Sequence, residues 1–584
     1  MIKDSKSGSQ FDLITTSDAL ENKNILLKVK NLSISFEQDR QLTTVVNDIS
    51  FNLFAGKLTA IVGESGSGKS VTALSMLQIL PGQANIKGDL IFKSDGIEID
   101  LAKASAKEIQ KIRGNKISMI FQEPMTSLNP VFTCGFQVME SLFTHTKLSS
   151  KQIRQRAIEL FEQVELPNPS AMLSRYPHQI SGGQKQRVMI AMAMSCNPTL
   201  LIADEPTTAL DVRVQKNILK LIKKLQLQQQ MSVLFITHDL GLVASFADEV
   251  LVMNKGKIVE QGSAQEVLLN PRHAYTKALL ACRPFKESKG KKLPIISDFI
   301  NDGIKLETKL DEQLSPIKKS GKNNIPMLSV QNLKVYFPET KNLLGKPTSF
   351  YKAVDDVTFT VQENETVGLV GESGCGKTTL GRAILQLVKP QSGNIIFHGK
   401  ALQGIGNKEL RKTRKDLQIV FQDPYGSLNP RITIGDAILE PLVVHGLLKN
   451  NRERKDEVKH LLQQVNMNPD FYNRYPHQFS GGQRQRICIA RALALQPSFL
   501  IFDESVSALD VSVQAQVLNL INDLKNTYNF TSIFISHDLS VVHYISDRIM
   551  VMKNGKIIED ASADEIMNSP KEIYTQQLIE AIPR

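Results

Sequence analysis

Two stretches of this chain share one order of apolar and polar positions. The stretch LTAIVGESGSGKSVTALSMLQIL, from Leu58, is a short apolar run, then a glycine-rich loop, then apolar positions at helical spacing. The stretch ETVGLVGESGCGKTTLGRAILQLV, from Glu365, repeats that order. Each stretch therefore predicts a buried strand, a tight loop and a packed helix.

Further apolar runs predict more strands and helices in each half of the chain. LLIAD and SVLFIT in the first half, and FLIFD and SIFIS in the second, are each too short for a helix and predict buried strands of a parallel sheet. Apolar positions at helical spacing predict helix-packing faces at Ile153, Ala157, Leu160, Phe161 and Val164, and at Val458, Leu461, Leu462 and Val465. The pattern as a whole predicts an α/β fold.

The two halves form an internal repeat that covers most of the chain. YPHQISGGQKQRVMIAMAM, from Tyr176, recurs as YPHQFSGGQRQRICIARAL, from Tyr475, about 300 residues later. LLIADEPTTALDVRVQ likewise recurs as FLIFDESVSALDVSVQ. The repeat excludes two unrelated domains. We predict a polar N-terminal tail (1–24), a first domain (25–282), an extended and mobile linker (283–326) and a second domain (327–584).

Composition narrows the class of protein but selects no function. A chain of 584 residues with 41% hydrophobic and 22% charged residues is typical of globular proteins with more than one domain. A net charge of +11 would suit nucleic acid, an anionic membrane surface or nucleotide phosphates alike. The five cysteines offer neither a disulfide framework nor a C-x-x-C metal site, so a reducing cytosol is the simplest location. The polar N-terminus and the lack of long apolar runs predict neither an export signal nor a membrane span.

Both glycine-rich loops, residues 63–70 and 371–378, fit the pattern G-x-x-x-x-G-K-[ST]. In such a P-loop the backbone N–H groups surround a phosphate, the lysine reaches the β and γ phosphates, and the final hydroxyl binds Mg²⁺. The predicted nucleotide-binding residues are Gly63, Ser65, Gly66, Gly68, Lys69 and Ser70, with Gly371, Ser373, Gly374, Gly376, Lys377 and Thr378.

Two acidic pairs complete a candidate hydrolytic site in each half. Asp204 and Glu205 follow one apolar run, and Asp503 and Glu504 follow the corresponding run of the second half. An aspartate at the carboxyl end of a buried strand can hold the Mg²⁺ of a nucleotide, and the next glutamate can orient or deprotonate the attacking water.

A further repeated motif, SGGQ, carries a resemblance to a known family. It occurs at residues 181–184 and 480–483, each time followed by [KR]-Q-R and an apolar helix. Together with the P-loops and acidic pairs it resembles the ATP-binding-cassette (ABC) family, except that Ile180 and Phe479 replace the common leading leucine. The resemblance covers nearly all of residues 25–284 and 327–584. It implies two tandem P-loop NTPase cassettes that bind ATP and Mg²⁺, each with a mainly parallel sheet core, an antiparallel β part and a helical subdomain.

The resemblance also implies the parts of each site. The catalytic residues would be Glu205, Glu504, His238, His537, Gln122 and Gln422. The metal ligands would be Ser70, Gln122, Asp204, Thr378, Gln422 and Asp503. Further nucleotide contacts would come from Ser181, Gly183, Gln184, Ser480, Gly482 and Gln483. The two cassettes would pair head to tail within one chain, with one ATP between Lys69 and Ser480 and another between Lys377 and Ser181.

The adenine ring would stack on an aromatic side chain of an early strand. Phe36 and Phe337 occupy the family's position for this contact. Because extra residues separate Phe337 from its P-loop, Phe350 and Tyr351 are alternatives in the second cassette. Cys375, inside the second P-loop, is interpreted as an inert small side chain.

Other phrases narrow the resemblance to one group of importers. The motif FQ[ED]P..SLNP, which contains Gln122 in the first cassette and Gln422 in the second, resembles a motif of the ATPases of bacterial oligopeptide, dipeptide and nickel importers. The YT..L ending of each cassette carries the same resemblance. Among fused two-cassette members, the phrases VVNDIS and RVMIAMAM are most similar to the Yej-type peptide and microcin C importers. The resemblance implies peptide import through two integral membrane permease subunits supplied by an extracytoplasmic binding protein. It places the chain on the cytoplasmic face of the bacterial inner membrane, without nucleic acid.

Three alternatives stay open at this point. The imported solute could instead be glutathione or nickel. A two-cassette ATPase of the ribosome is a second class, although the prolines at 284, 294, 316 and 326 oppose the long helical arm of those proteins. A DNA-repair ATPase would carry a coiled-coil or zinc-bearing insertion, and neither pattern occurs. Unfused relatives carry a cysteine-rich tail, whereas only Cys282 lies near that position, so we expect no iron–sulfur cluster.

Overall fold

The computed structural model describes residues 24–38, 41–94, 96–122, 127–207, 210–244, 246–301, 325–341 and 347–582. The predicted N-terminal tail, apart from Asn24, and residues 302–324 of the predicted linker lie outside this part. The described residues form two compact units. The first ends at Leu280 and the second begins at Ala281, with Asp211–Arg213 counted in the second.

The first cassette contains the strands and helices that its apolar runs predict, together with further strands and helices. Its strands are β1 (Ile25–Gln38), β2 (Gln41–Phe54), β3 (Leu58–Val62), β4 (Ala84–Ser94), β5 (Ile97–Asp100), β6 (Ile117–Ile120), β7 (Leu200–Asp204), β8 (Ser232–Thr237), β9 (Glu249–Asn254) and β10 (Lys257–Ser263). Its helices are α1 (Lys69–Met76), α2 (Ala106–Ile112), α3 (Cys134–His145), α4 (Ser150–Gln163), α5 (Pro169–Met172), α6 (Gly182–Met194), α7 (Val212–Gln229), α8 (Leu240–Val243), α9 (Ala264–Leu269) and α10 (Ala274–Ala281).

The first cassette holds a six-stranded sheet in the order β10-β9-β3-β8-β7-β6. Its strands are parallel except β10, which pairs antiparallel with β9 at one edge. Every residue of β3, β7 and β8 is buried, because a parallel sheet is covered on both faces. A separate four-stranded sheet, β2-β1-β4-β5, is antiparallel.

Helices α3 to α6 form the helical part of the first cassette. The predicted apolar face of α4 is confirmed, since Ile153, Ala157, Leu160 and Phe161 are all buried in one core cluster. Helix α4 begins with a capping box between Ser149 and Gln152, which satisfies the N–H groups of its first turn.

A short segment and the second cassette continue the chain. The segment contains the helix α11 (Ile296–Asn301). The strands of the second cassette are β11 (Leu328–Lys341), β12 (Pro347–Val361), β13 (Thr366–Val370), β14 (Ser392–Phe397), β15 (Lys400–Ala401), β16 (Leu417–Val420), β17 (Phe499–Asp503), β18 (Thr531–Ser536), β19 (Arg548–Lys553) and β20 (Lys556–Ser562). Its helices are α12 (Lys377–Ile384), α13 (Asn407–Asp416), α14 (Pro424–Ser427), α15 (Ile434–Val444), α16 (Asn451–Gln464), α17 (Gly481–Leu493), α18 (Val511–Tyr528), α19 (Leu539–Ile545), α20 (Ala563–Asn568) and α21 (Ile573–Glu580).

The second cassette repeats both sheets. From its antiparallel edge strand, the large sheet has the order β20-β19-β13-β18-β17-β16, and the small sheet has the order β12-β11-β14-β15. Both orders match those of the first cassette strand by strand. The predicted apolar face of α16 is also confirmed, because Val458, Leu461 and Leu462 are buried. In the part of the chain that the structure describes, no helix is both long and apolar enough to cross a membrane.

The beginning of the predicted linker, residues 283–301, differs from the expected extended tether. It contains a 3₁₀ turn at Lys286–Ser288 and helix α11. Leu293 is buried in the core cluster of the second cassette. The side-chain amide of Asn519 accepts from the N–H of Leu293 at 2.9 Å and donates to its carbonyl at 2.7 Å. This segment therefore packs as part of the second unit, and the extended conformation predicted for it was wrong.

Candidate functional site

Each P-loop joins the central strand of its sheet to a helix that starts at the P-loop lysine. In the first cassette β3 ends at Val62 and α1 begins at Lys69. Gly68 has a φ of 101°, a left-handed conformation that glycine adopts without strain. At Gly63 a Cβ atom would clash with the carbonyl oxygen of Met253 on β9, so only glycine allows the loop to lie this close to the sheet.

The P-loop lysines lie inside the loops. Lys69 Nζ donates to the carbonyls of Gly63 at 2.7 Å and Glu64 at 2.9 Å. Lys377 Nζ makes the matching bonds to Gly371 and Glu372 at the same two distances. Each ammonium group is thus held by the loop backbone at the place where the phosphates of a nucleotide would bind.

The hydroxyl that ends each P-loop meets the aspartate at the end of a strand two places away in the sheet, β7 relative to β3 and β17 relative to β13. Ser70 Oγ donates to Asp204 Oδ1 at 2.9 Å, and Thr378 Oγ1 donates to Asp503 Oδ1 at 2.9 Å. Burial raises the pKa of Asp204 to about 6, although the hydrogen bond from Ser70 opposes the shift. Burial raises the pKa of Asp503 as well.

These two pairs fit a magnesium ion. A buried carboxylate with a raised pKa is a group that a nearby cation would stabilise in its charged form. One hydroxyl and one carboxylate oxygen are hard ligands of the kind that Mg²⁺ takes from proteins, with phosphate and water oxygens completing its shell. Ser70 with Asp204, and Thr378 with Asp503, could therefore hold one ion each.

The glutamate after each aspartate joins two residues that are distant in sequence. Gln122 Nε2 donates to Glu205 Oε2 at 3.0 Å, and His238 Nδ1 lies 3.2 Å from the same oxygen. Glu205 has a φ of 45°, which is uncommon and costly for a residue other than glycine. Its N–H bonds the carbonyl of Ile236 on β8 at 3.0 Å. The sheet thus holds a strained backbone that brings the carboxylate to the glutamine and the histidine.

The second cassette has the same arrangement around Glu504, whose φ is 46°. Gln422 Nε2 donates to Glu504 Oε2 at 2.8 Å, and His537 Nδ1 lies 3.6 Å from that oxygen. Lys377 Nζ lies 3.9 Å from Glu504 Oε1. Burial alone would raise the pKa of Glu504, but the contacts with His537 and Lys377 lower it overall. This carboxylate is therefore held ionised, as a proton acceptor must be.

The two SGGQ motifs form helix starts. Ser181 caps α6, where its Oγ accepts from the N–H of Gln184 at 3.3 Å and the Gln184 side chain accepts from the N–H of Ser181 at 3.1 Å. Ser480 and Gln483 form the same capping box at α17. The second glycine of each motif, Gly183 or Gly482, packs so closely on a valine of the following helix that a Cβ would be crowded. The hydrogen bonds of Ser181 and Ser480 described here are local, and they do not connect either motif to a P-loop.

The aromatic candidates for adenine stacking differ between the cassettes. Phe36 packs at the edge of a core cluster of the first cassette, whereas Phe337, Phe350 and Tyr351 are all exposed. Tyr351 lies opposite Phe337 on the neighbouring strand, and its hydroxyl donates to the carbonyl of Gly374 in the P-loop at 2.5 Å. In the second cassette, Tyr351 is thus the candidate that the structure joins to the P-loop.

One pair of P-loop contacts was not anticipated from the sequence. The hydroxyl of Tyr275 accepts from the N–H of Glu64 at 3.1 Å, and that of Tyr574 accepts from the N–H of Glu372 at 3.0 Å. The repeated YT..L ending was the available signal. The sequence did not indicate the contact, because this motif lies more than 200 positions from the P-loop in each cassette.

Comparisons with known proteins agree with this geometry. A family model described as ABC transporter matches residues 46–208 and 354–507, and one described as oligopeptide/dipeptide transporter, C-terminal region, matches residues 259–298. The glutathione import ATP-binding protein GsiA of Escherichia coli O157:H7 is 48% identical over 576 residues, covering 97% of this chain and 91% of that protein. GsiA of Shigella boydii serotype 4 (strain Sb227) is 47% identical over 575 residues with the same coverage of 97% and 91%.

A solved structure gives a further match. It is the dimeric, post-hydrolysis state of the ATP-binding cassette MJ0796 bound to ADP and Pi, 29% identical with a TM-score of 0.37. The match covers 41% of this chain and 98% of that one.

The chain belongs to the ABC transporter family and carries two ATP-hydrolysing cassettes of that family. Within it, the chain is an importer ATP-binding protein of the oligopeptide/dipeptide group. The predicted fold, two tandem α/β cassettes, is confirmed.

Proposed function

We propose that this chain drives the import of a peptide-sized solute into a bacterial cell, through two integral membrane permease subunits supplied by an extracytoplasmic binding protein. The chain would lie peripherally on the cytoplasmic face of the inner membrane. The observation that carries this proposal is a pair of stacked and exposed aromatic side chains, Phe132 and Phe136, which follow the catalytic glutamine of the first cassette by about ten residues in sequence. The importer relatives that match along nearly the whole chain support it.

The catalytic roles follow from the contacts of each glutamate. Glu205 and Glu504 accept the proton of the attacking water, and His238 and His537 orient these carboxylates. Lys69 and Lys377 bind the β and γ phosphates. Mg²⁺, when bound, neutralises charge on the phosphate oxygens. The side-chain amides of Gln122 and Gln422 donate to the glutamates, so a change at either carboxylate during the reaction would shift the glutamine beside it. The two glutamines are also proposed metal ligands when nucleotide is present.

The two cassettes are proposed to pair head to tail around ATP. Each SGGQ motif presents a serine hydroxyl and backbone N–H groups at a helix start, which is an arrangement suited to an anionic phosphate. Ser480, Gly482 and Gln483 would close the site of Lys69, and Ser181, Gly183 and Gln184 the site of Lys377. In a chain carrying Lys377→Ala, adding Ser480→Ala should lower residual hydrolysis, whereas adding Ser181→Ala should not.

Four phenylalanine side chains in this stretch of the first cassette are exposed, namely Phe121, Phe132, Phe136 and Phe143. The rings of Phe132 and Phe136 stack at 4.8 Å between centroids, yet both are more than two-fifths exposed. Exposed aromatic clusters of this kind mark partner surfaces. Phe121 precedes Gln122, which bonds Glu205. A permease loop that binds here would therefore contact the segment that holds the catalytic carboxylate, and this would couple transport to hydrolysis.

The partner is tested by affinity purification of the chain from gently solubilised membranes. We expect two polytopic membrane proteins to copurify with the parent chain and to be lost from Phe136→Asp. The change is mild for the fold, because the second cassette carries Asp436 at the matching helix position. Ribosomes in place of membrane proteins would favour the ribosomal class and contradict the proposal.

The solute class is tested by uptake. The similarity to the glutathione import protein GsiA supports glutathione as the solute, and the Yej-like phrases of the first cassette support other peptides. Cells lacking this chain should lose uptake of one labelled peptide class, either glutathione or a set of tri- to hexapeptides, and regain it with the parent gene. Loss of nickel uptake alone would contradict import of peptides.

A further inference from the structure

The second residue of each P-loop is tied to the last helix of its cassette. Tyr275 on α10 and Tyr574 on α21 accept the N–H of Glu64 and Glu372 at 3.1 Å and 3.0 Å. Both tyrosines are almost fully buried, at 1% and 4% exposure. The N–H groups of Glu64 and Glu372 are partly buried, and the partner of each is a side chain from more than 200 positions further along the chain.

The tyrosines are themselves held in place from the last strand. Glu260 on β10 accepts the N–H groups of Arg272 and His273 at 2.7 Å and 3.1 Å, in the turn before α10. Glu559 on β20 binds Lys571 and Glu572 in the same way, at 2.8 Å and 3.2 Å. A carboxylate at a helix start is favourable for the exposed N–H groups there. The start of each helix, and with it the tyrosine, is therefore fixed to the sheet.

The tyrosine bond acts on the residue that also holds the P-loop lysine. The N–H of Glu64 is bound by Tyr275, and the carbonyl of Glu64 accepts from Lys69 Nζ at 2.9 Å. In the second cassette, Glu372 is bound by Tyr574 and by Lys377 in the same way. A loop residue fixed at both its N–H and its carbonyl has little freedom to rotate, so the lysine is held where the phosphates bind.

We propose that Tyr275 and Tyr574 are positioning residues for ATP binding, which act through Glu64 and Glu372 to hold the P-loop lysines in their binding position. The inference rests on the proposed role of Lys69 and Lys377. Without the hydroxyl, the P-loop would sample positions that do not bind phosphate, and the apparent affinity would fall with the fraction of competent loops. Neither tyrosine touches the reacting atoms.

Two observations show that the contact is a specific hydrogen bond in both cassettes. The contact occurs independently in each cassette with nearly the same length, although the matched C-terminal family region covers only that of the first. Burial raises the pKa of Tyr574, so its hydroxyl stays protonated. The bond depends on one oxygen atom and can be removed while the ring is left in place.

The test uses the full chain with one P-loop inactivated at a time. Tyr574→Phe is placed in Lys69→Ala, and Tyr275→Phe in Lys377→Ala, and the dissociation constant of a fluorescent ATP analogue is measured for each. We expect each phenylalanine to raise that constant about five- to tenfold. In an otherwise unchanged chain, Tyr275→Phe with Tyr574→Phe should raise KM for ATP by a similar factor and change kcat less than twofold.

Tyr544→Phe is the matched control. Tyr544 is also buried, and its hydroxyl bonds the carbonyl of Lys291 at 2.9 Å and Asn519 at 3.1 Å, away from the P-loop. It should lower the melting temperature without changing ATP affinity. An unchanged dissociation constant in the P-loop tyrosine variants, or an equal rise in Tyr544→Phe, would overturn the inference. If the Lys69→Ala and Lys377→Ala double variant still binds ATP, the proposed P-loop function fails instead.

Discussion

The two cassettes are nearly identical at the atoms that would meet the phosphates and the metal, and they differ in the exposed residues around those sites. The P-loop lysines make the same two carbonyl bonds, and the hydroxyl and aspartate pairs have the same 2.9 Å separation. Around these contacts, the first cassette exposes Phe132 and Phe136 where the second has Ile432 and Asp436. The chemistry has thus been kept twice, while the surfaces that would meet partners have diverged.

The segment after the first cassette shows the same divergence. Residues 283–301 pack on the second cassette, where Asn519 and Tyr544 bind the backbone of the segment. At the matching positions the first cassette has Lys220 and Ser245, which cannot reproduce that pair of contacts. The two side chains that bind the segment are therefore particular to the second cassette.

The largest expected effect tests whether the two sites are equal in chemistry. Glu205→Gln with Glu504→Gln should lower ATP hydrolysis about 100-fold or more, because the proton acceptor of each site is lost. The two single variants should have the same residual rate, measured as phosphate release. Glu363→Gln, an exposed change on the second cassette, is the control. A double variant with undiminished hydrolysis contradicts the assigned role, and single variants that differ more than threefold break the equivalence.

The next largest expected effect is a change in stability when the buried aspartates are replaced, measured with metal removed. The pKa of Asp204 is raised from 3.8 to about 6. Ionisation of this carboxylate therefore lowers the free energy of unfolding, and the loss grows as the pH rises between these two values. Asp204→Asn should increase the free energy of unfolding by about 2–3 kcal/mol at pH 7.5, with a gain about one-third as large at pH 4.5. Asp503→Asn should behave in the same direction, measured by urea unfolding in EDTA. A gain that is constant with pH would contradict the explanation by burial.

The contacts of residues 283–301 should make the two cassettes differ in how a matched substitution changes the free energy of unfolding, by an amount of similar size. Asn519→Ala removes both bonds to the Leu293 backbone and should cost about 1–3 kcal/mol of stability, since two buried backbone groups lose their partner. Residues 283–301 should then become sensitive to limited proteolysis. Lys220→Ala, the exposed match in the first cassette, should change stability by less than about 0.5 kcal/mol. Equal effects of the two changes would remove this contrast.

The smallest expected effect concerns the adenine side. Tyr351→Phe removes one hydroxyl bond to the second P-loop at an exposed position, so the dissociation constant for ATP should rise about two- to threefold in the Lys69→Ala chain. Tyr351→Ala also removes the ring and should cost more if this ring stacks on adenine. If Phe337→Ala has the larger effect, the ring that stacks is Phe337, as in the first expectation from sequence.

Sequence reasoning located most of the site but not its connections. It identified Glu205, Gln122 and His238 as parts of one site from their motifs alone. It did not give the bond from Gln122 to Glu205, which lie 83 residues apart, nor the left-handed φ that turns Glu205 toward it. It also treated residues 283–301 as an extended linker, because charge and proline content outweighed the apolar residues of the segment, Leu293 and Ile296 among them.

The sequence by itself determined that there are two α/β cassettes, and it supplied the residues that are proposed to carry their chemistry. Strand and helix periodicity, glycine loops and acidic pairs are local, so they can be recognised wherever they lie in a chain. Only the tertiary structure decided which distant groups meet. With β3 between β8 and β9, the P-loop of the first cassette lies beside the ends of strands that come much later in the chain. That strand order, together with the position of α10, brings the hydroxyl of Tyr275 to the N–H of Glu64 in the P-loop.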